Sequence, residues 1–211
     1  MTDLRNTEAA ISHLYLAATI DLDRAITWLG AANTQRRPPD RLVMAALFLR
    51  AVTHGLREVP ELNATTADDP RLPGAAVHLG VTVMRRDGTP LVPVLPDAER
   101  RSVDDLMKAL RELAHRARTD RLREADLGGP TFTVTDLGNL GVQAVYPSVV
   151  PPLVGAVGIG KVVEQPSAVD GAVVCSPVVT MTLAADHAVG SHRGARFLAT
   201  IDRVLQRPEA L

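Results

Sequence analysis

The chain has 211 residues, of which 46% are hydrophobic and 22% are charged, and its formal net charge is −1. This length fits a single domain, residues 1–211, with a sizeable core, and the near-zero charge excludes the basic surface that nucleic acid or an acidic membrane would need. Cys175 is the only cysteine, which excludes an intrachain disulfide and a cysteine-based zinc site. The N-terminus carries no apolar leader, and no apolar run reaches about 18 residues, so we expect a soluble, cytoplasmic protein.

The first half of the chain predicts a strand, two helices and a strand pair. The segment LYLAATIDLD (14–23) alternates loosely between apolar and polar residues, which is typical of a strand. One helix is predicted for 24–35 and a second for 41–59, where apolar residues recur at i, i+3 and i+4. Two further strands, 75–84 and 89–95, flank the hairpin-turn sequence RRDG.

The second half predicts a long helix, more strands and a final helix. The amphipathic segment 98–122 is the long helix, with Ser102 as its N-cap. The remaining predicted elements are a strand at 128–138, a turn and strand at 149–166, a hairpin at 168–187 with Asp170 and Gly171 at its turn, and a helix at 194–211. This order of elements predicts an α+β fold in which helices flank a mixed sheet.

His187 stands at the end of a predicted strand, just before a glycine-serine turn. Imidazole is the side chain best suited to general-base chemistry near neutral pH, and a histidine at a strand end can point into a cleft. The pattern leaves two interpretations open, namely a catalytic histidine or a structural one held by hydrogen bonds. His187 and His192 are five residues apart across a turn, which is a weak zinc signal, and no metal site is predicted.

The other histidines of the predicted fold lack such a setting. None has a neighbour at metal-ligand spacing, and all are interpreted as structural: His13, His54, His78 and His115.

Two further motifs could take part in catalysis or in nucleotide binding. Thr133 and Thr135 lie on one face of the predicted strand 128–138, where a hydroxyl could donate to an oxyanion or simply satisfy the strand preference of threonine. The glycines of GAVGIG precede a strand-like segment rather than a helix, so a dinucleotide-binding turn is not predicted. The sequence contains neither a GxSxG nucleophile turn nor a phosphate-binding loop.

Six segments, in order along the chain, resemble the catalytic domain of the dihydrolipoamide acyltransferases of 2-oxo acid dehydrogenase complexes. They are HLYLAATIDLD, LREVPELNA, GTPLVPVLPDAERRSVDDLMKALRELAHRAR, GGPTFTVTDLGNLG, VVPPLVGAVGIGKV and MTLAADHAVGSHRGARFL. This resemblance implies a fold like that of chloramphenicol acetyltransferase, a CoA-dependent acyltransferase, with a two-layer arrangement of mixed sheet and flanking helices.

The resemblance also implies a mechanism. The motif histidine, here His187, would be the general base that removes a proton from the attacking thiol or hydroxyl. A hydroxyl in the FTISNLG-like strand, here that of Thr135, would stabilise the tetrahedral oxyanion. In the family the two groups come from different subunits of a trimer. The acyl donor would be acetyl-CoA or another acyl-CoA, used as a substrate, with no metal and no bound lipoyl group.

The chain departs from the family pattern near its motif histidine, in the segment VVPPLVGAVGIGKV and at the N-terminus. Ser191 occupies the place of an aspartate four residues after the histidine, His192 replaces the next glycine, and Val150 replaces an asparagine. The arginine-bearing N-terminal helix that pairs with that aspartate is also expected to be missing. Joint loss of the two charges indicates a rebuilt site rather than one with an unpaired charge. Ser191, His192 and Asp136 are candidates for orienting the turn or contacting the acceptor.

No segment of the sequence resembles a lipoyl domain, a subunit-binding domain or a linker, so we expect a stand-alone enzyme. It would move an acetyl group from CoA to a small-molecule hydroxyl, in a natural-product pathway such as tetronate biosynthesis. Two alternatives are a degenerate scaffold and a detached catalytic core acting on dihydrolipoamide. We also expect a homotrimer that does not assemble into a large cage, and no nucleic-acid or membrane partner.

Overall fold

The structure is a computed structural model that describes residues 13–65, 76–169 and 171–211. The strands are β1 His13–Asp21, β2 Leu79–Val81, β3 Val83–Met84, β4 Pro90–Leu91, β5 Val94–Leu95, β6 Phe132–Asp136, β7 Gly155–Ile159, β8 Val163–Val169 and β9 Ala172–Asp186. The helices are α1 Asp23–Asn33, α2 Met44–Glu58, α3 Val103–Arg118 and α4 Ser191–Leu205. No helix in these ranges is both long and apolar enough to span a bilayer.

The strands form a mixed sheet in the order β1-β9-β7-β6-β2-β5, with β8 paired to the long strand β9. β6 runs parallel to both of its neighbours, β2 and β7, and the other pairs in this sheet are antiparallel. The predicted α+β class with a mixed sheet is confirmed.

One face of this sheet packs against the helices. Alternate residues of the strands, such as Ile20, Val134 and Leu183, join one buried core with residues of α1, α2, α3 and α4. The repeat of apolar residues on α2 explains its position, because nine of its fifteen residues are buried. In β6, Phe132 contributes a ring whose centre lies 5.6 Å from that of Phe197 in α4.

The opposite face of the sheet, here called the open face, is crossed by residues 142–154. Val149 and Leu153 from this segment form a small buried cluster with Ala156 and Ala184 of the sheet. The Thr182 hydroxyl donates to the carbonyl of Val145. The open face therefore carries small side chains where the crossing segment approaches it.

Two predicted strands each break into two short ones. The segment 75–84 contributes β2 to the main sheet and β3 to a separate two-stranded hairpin with β4, and 89–95 likewise divides into β4 and β5. Pro93 lies at the second break, where it cannot donate a backbone hydrogen bond. The RRDG turn itself is confirmed, since Arg85 N donates to Thr89 O at 2.9 Å.

The long predicted helix is shorter than expected at both ends. It begins at Val103 because Asp97 has a left-handed backbone (φ 50°) and a short 3-10 helix follows it. Ser102 caps the helix as predicted, accepting from Asp105 N at 3.1 Å. The last helix begins at Ser191, three residues earlier than predicted.

The predicted hairpin at 168–187 is confirmed by the pairing of β8 with β9. Gly171 has a φ of +81°, which suits a turn. Asp170, predicted at the same turn, lies outside the described residues.

Candidate active site

Thr135 lies near the end of β6, with its side chain on the open face. Its neighbour across the strand pair is Gly158 of β7. The Thr135 Oγ1 atom is 3.1 Å from Oγ1 of Thr82, and either hydroxyl could be the donor. Thr82 has no signal in the sequence that marks it as part of a site, because it stands in the short break between β2 and β3, which the sequence predicts as one continuous strand.

Asp136 follows Thr135 but faces the other side of the sheet. It lines a cavity of about 290 Å³ with residues of α2 and α3, among them Leu49 and Leu110. Burial raises the pKa of the Asp136 carboxyl, while a hydrogen bond from Gly138 N at 3.0 Å acts in the opposite direction. The structure thus separates Asp136 from Thr135, although the two residues are adjacent in the sequence.

His187 begins a short 3-10 helix, His187–Val189, that connects β9 to α4. Its side chain is 66% exposed, and its Nδ1 atom is 3.4 Å from Oδ1 of Asp186. The same Asp186 oxygen accepts from Ala188 N at 2.8 Å, and Asp186 N donates to Val154 O at 2.8 Å. The start of this turn is therefore fixed to the sheet, and the imidazole is left free to meet solvent or a ligand.

Gly190 provides the bend between this turn and α4. Its φ of +80° lies in the region that favours glycine. Ser191 and His192 follow at the start of α4, and both are exposed. Within the described part of the chain, neither side chain makes a hydrogen bond. Their predicted part in orienting the turn or contacting the acceptor stays a prediction.

The sheet register keeps Thr135 and His187 apart within one chain. Thr135 pairs with Gly158, Gly158 pairs with Thr182, and His187 lies five residues beyond Thr182 along the chain. With a rise of about 3.3 Å per residue and about 4.8 Å between strands, the two Cα atoms are roughly 20 Å apart. The structure of one chain therefore does not bring the predicted base and the predicted oxyanion donor together.

The glycines of GAVGIG lie within or directly after β7, where the open face meets residues 142–154. A Cβ on Gly158 would lie 2.1 Å from the Val145 carbonyl oxygen, and one on Gly160 would lie 1.9 Å from that of Gln143. These glycines permit a close approach of two backbone segments, which explains them without a phosphate-binding turn.

The histidines interpreted as structural have varied surroundings. His78 Nδ1 accepts from Asp97 N at 3.1 Å. The His54 Nε2 atom is buried and unpaired in the described structure, and burial lowers the pKa of that imidazole. Across the described ranges, no three side chains of His, Cys, Asp or Glu group closely enough to hold a metal ion.

The whole chain, residues 1–211, matches the family described as 2-oxoacid dehydrogenases acyltransferase (catalytic domain). The chain belongs to this family. The resemblance to dihydrolipoamide acyltransferases that the sequence motifs indicated is therefore confirmed.

Similar acyltransferases are components of 2-oxoacid dehydrogenase complexes. The chain is 31% identical over 172 residues to the dihydrolipoyllysine-residue succinyltransferase component of the 2-oxoglutarate dehydrogenase complex of Rickettsia typhi. This alignment covers 81% of this chain and 43% of that protein. It is 32% identical over 174 residues to the lipoamide acyltransferase component of the branched-chain alpha-keto acid dehydrogenase complex of Pseudomonas putida. This alignment covers 81% of this chain and 41% of that protein. The chain thus spans less than half the length of these two relatives.

Solved acyltransferase structures share the fold. The dihydrolipoamide acetyltransferase of Azotobacter vinelandii superposes with a TM-score of 0.86 at 27% identity, covering 100% of this chain and 88% of that one. A chloramphenicol acetyltransferase superposes with a TM-score of 0.62 at 13% identity, covering 92% and 88%. The predicted fold like that of chloramphenicol acetyltransferase is confirmed.

The expected natural-product O-acetyltransferase is wrong. The acyltransferases to which the chain is similar carry the names of dihydrolipoyllysine and lipoamide acyltransferase components, and they favour the alternative of a catalytic core that acts on dihydrolipoamide. The wrong expectation came from the lack of a lipoyl segment in this sequence, which is not evidence for a different acceptor, because the chain spans less than half the length of these relatives.

Proposed function

We propose that this acyltransferase domain transfers an acyl group between CoA and a dihydrolipoyl group, as part of a 2-oxoacid dehydrogenase system. The observation that carries the proposal is a spacing. In the acetyltransferase of Azotobacter vinelandii, the catalytic roles of a serine and of a histidine 52 residues later have been investigated. Thr135 and His187 are also 52 residues apart, one at the end of β6 and the other directly after β9. A third residue investigated there, an asparagine, lies four residues after the histidine, as Ser191 does here.

The proposed reaction is a direct transfer with no covalent enzyme intermediate. The neutral imidazole of His187 takes the proton of the dihydrolipoyl thiol, and the sulfur forms a bond to the thioester carbonyl carbon of acyl-CoA. The tetrahedral oxyanion that results accepts a hydrogen bond from the Thr135 hydroxyl. When this intermediate collapses, the carbon–sulfur bond to CoA breaks, and the departing CoA sulfur takes the proton back from His187.

Thr82 supports the donor role of Thr135. The two hydroxyl oxygens are 3.1 Å apart, so the Thr82 hydroxyl can donate to Thr135 and leave the Thr135 proton free for the oxyanion. A hydroxyl that is already oriented loses less entropy when the oxyanion forms. Thr82 is thus a positioning residue in this proposal.

The separation of Thr135 and His187 supports a site built from two copies of the chain, and we propose a homotrimer. In such a trimer, the His187 of one copy meets the Thr135 of the next. The open face of the sheet offers apolar surface for this contact, because Tyr15, Tyr146 and Val150 are 51%, 62% and 65% exposed. The rings of Tyr15 and Tyr146 meet edge to face with their centres 6.2 Å apart.

The test is acyl transfer from acetyl-, succinyl- and isobutyryl-CoA to free dihydrolipoamide, measured as thioester formed. The wild-type chain is expected to use at least one donor. His187→Ala should lower kcat by about 100- to 10,000-fold, and Thr135→Ala by about 10- to 100-fold, since part of the oxyanion stabilisation remains. His115→Ala, which removes an exposed histidine from α3, is the control and should keep full activity.

Two results would contradict the proposal. Full activity of His187→Ala would exclude the proposed base. A wild-type chain that transfers none of the three acyl groups would instead favour the scaffold alternative.

A further inference from the structure

One ion pair reaches the turn of His187 from a distant part of the chain. Arg193, in the first turn of α4, donates from Nε to Oε1 of Glu61 at 2.8 Å and from Nη1 to the Val189 carbonyl at 3.3 Å. Val189 belongs to the 3-10 helix that begins with His187, and its side chain is buried. A single guanidinium therefore joins the turn of the proposed base to a carboxylate 132 residues away in the sequence.

On the side of α4, Arg193 is the side chain that hydrogen-bonds to this turn. Gly190, at the N-cap position, has no side chain, and the side chains of Ser191 and His192 make no hydrogen bond among the described residues. Among the described residues, the imidazole of His187 makes one polar contact, with Asp186 Oδ1 at 3.4 Å. The direction of the imidazole therefore depends on the backbone of the turn. On the α4 side that backbone is held by Arg193 and by the hydrogen bond from Gly194 N to Gly190 O at 3.2 Å.

Glu61 lies in a segment that burial and hydrogen bonds hold in place. It belongs to the 3-10 helix Pro60–Asn63, in which Leu62 is 0% and Asn63 4% exposed. The Asn63 side chain donates to Ala76 O at 3.0 Å and accepts from Thr131 Oγ1 at 2.6 Å.

The same short helix also reaches the strand of Thr135. Thr131, which donates to Asn63, directly precedes β6, and β6 carries Thr135. The helix Pro60–Asn63 thus contacts the start of β6 through Asn63 and is linked to the turn of His187 through the pair of Glu61 and Arg193.

We infer that Glu61 and Arg193 are positioning residues, which hold the turn so that the His187 imidazole points where transfer requires it. The catalytic part of this inference rests on the proposed function. The mechanical part, that the pair fixes the turn, does not depend on it. Loss of the pair should leave the fold intact, because Arg193 is 51% and Glu61 30% exposed and the buried core does not include them.

The test compares Glu61→Gln with a matched control, Glu58→Gln. Glu58 also pairs with an arginine of α4, Arg203, and accepts from Thr200 Oγ1 at 2.8 Å, but it makes no contact with the turn of His187. Each variant removes one charge from an ion pair that ends on the same helix. A general loss of stability should therefore affect both, and a loss of positioning should affect only Glu61→Gln.

Two readouts are measured on the full chain. In acyl transfer from acetyl-CoA to dihydrolipoamide, Glu61→Gln should lower kcat by about 5- to 20-fold with the KM for acetyl-CoA within about twofold of wild type, since orientation rather than donor binding is lost. In hydrogen exchange, the amides of Ala188 and Gly190, which donate to Asp186 Oδ1 and His187 O, should exchange about tenfold faster in Glu61→Gln. Glu58→Gln should match the wild type in both.

The outcomes separate this inference from the proposed function. Unchanged exchange of the turn amides in Glu61→Gln, or an equal loss of kcat in both variants, would overturn the positioning role. If the wild-type chain transfers no acyl group, the proposed function fails, and the exchange comparison still decides whether the pair holds the turn.

Discussion

Thr135 and His187 lie at opposite ends of the same sheet, because β9 runs antiparallel to β7 while β6 runs parallel to it. Both residues are accessible, and neither is blocked by the helices on the other face. A chain that uses both in one reaction must therefore combine them across a contact between copies. In the proposed trimer, each site would combine groups from two polypeptides, and the number of active sites would depend on assembly.

Mixing two impaired variants tests this dependence. Thr135→Ala and His187→Ala chains, coexpressed in equal amounts, should recover about a quarter of the wild-type sites, because a site at a two-chain contact receives an intact threonine and an intact histidine in one random pairing out of four. The measurement is acyl transfer by the purified mixture, compared with each variant alone.

The control for mixing is a chain with both substitutions, coexpressed with wild type in equal amounts. Random pairing there should also leave about a quarter of the sites intact, namely those formed by two wild-type chains. If the two single variants show no recovery together, while copurification through an affinity tag on only one of them proves that they share oligomers, then the proposed trimer site is wrong.

The sequence predicted the elements that depend on local patterns. The repeat of apolar residues in α2, the cap at Ser102 and the turn at RRDG each act over a few residues, and all three appear in the structure. The family resemblance added the fold and a pair of candidate residues. These features need no knowledge of which segments meet.

The features that the sequence did not predict arise from long-range contacts. The contact of Thr82 with Thr135 arises because the predicted strand 75–84 divides and its first part, β2, pairs with β6. The pair of Glu61 and Arg193 joins two segments whose charges look like ordinary surface residues in the sequence. The acceptor was predicted wrongly for a different reason, because the lack of a lipoyl segment in this sequence says nothing about which acceptor the catalytic domain uses.

Gly158 should be a point of high sensitivity. A Cβ there would meet the Val145 carbonyl oxygen at 2.1 Å and the Thr182 hydroxyl at 2.8 Å, so Gly158→Ala must displace the segment that crosses the open face. We expect a loss of about 2–3 kcal/mol in the free energy of unfolding, as for an overpacked core. Urea denaturation followed by circular dichroism measures it.

Gly30 provides the matched control for that substitution. It lies in α1, and a Cβ there meets nothing within 4 Å. Gly30→Ala should therefore stabilise the chain by about 0.5–1 kcal/mol through helix propensity. Equal effects of the two substitutions would show that the crossing segment yields easily, and the tight approach would then have no role in fixing the open face.

Asp136 should make stability depend on pH in a direction opposite to that of a paired carboxylate. Burial raises the pKa of its carboxyl above the ordinary value of 3.8, so the folded chain binds the proton more tightly than the unfolded chain. Stability contributed by the neutral form is complete below that ordinary value and is lost as pH rises through the folded pKa. At pH 7, which lies above that ordinary value, burial of the Asp136 carboxyl is therefore a net cost to folding.

Asp136→Asn should remove this cost while keeping an oxygen that can accept from Gly138 N. We expect a gain on the order of 1 kcal/mol at pH 7, or about 2–4 °C in Tm, that disappears as the pH falls below about 4. Asp87→Asn is the control, because hydrogen bonds from Thr89 lower the pKa of that exposed carboxyl. Replacing the Asp87 carboxylate should therefore not increase the free energy of unfolding at pH 7. A loss of stability in Asp136→Asn at pH 7 would mean that the carboxylate has a favourable partner, and the cavity of about 290 Å³ that it lines would be the place to search for one.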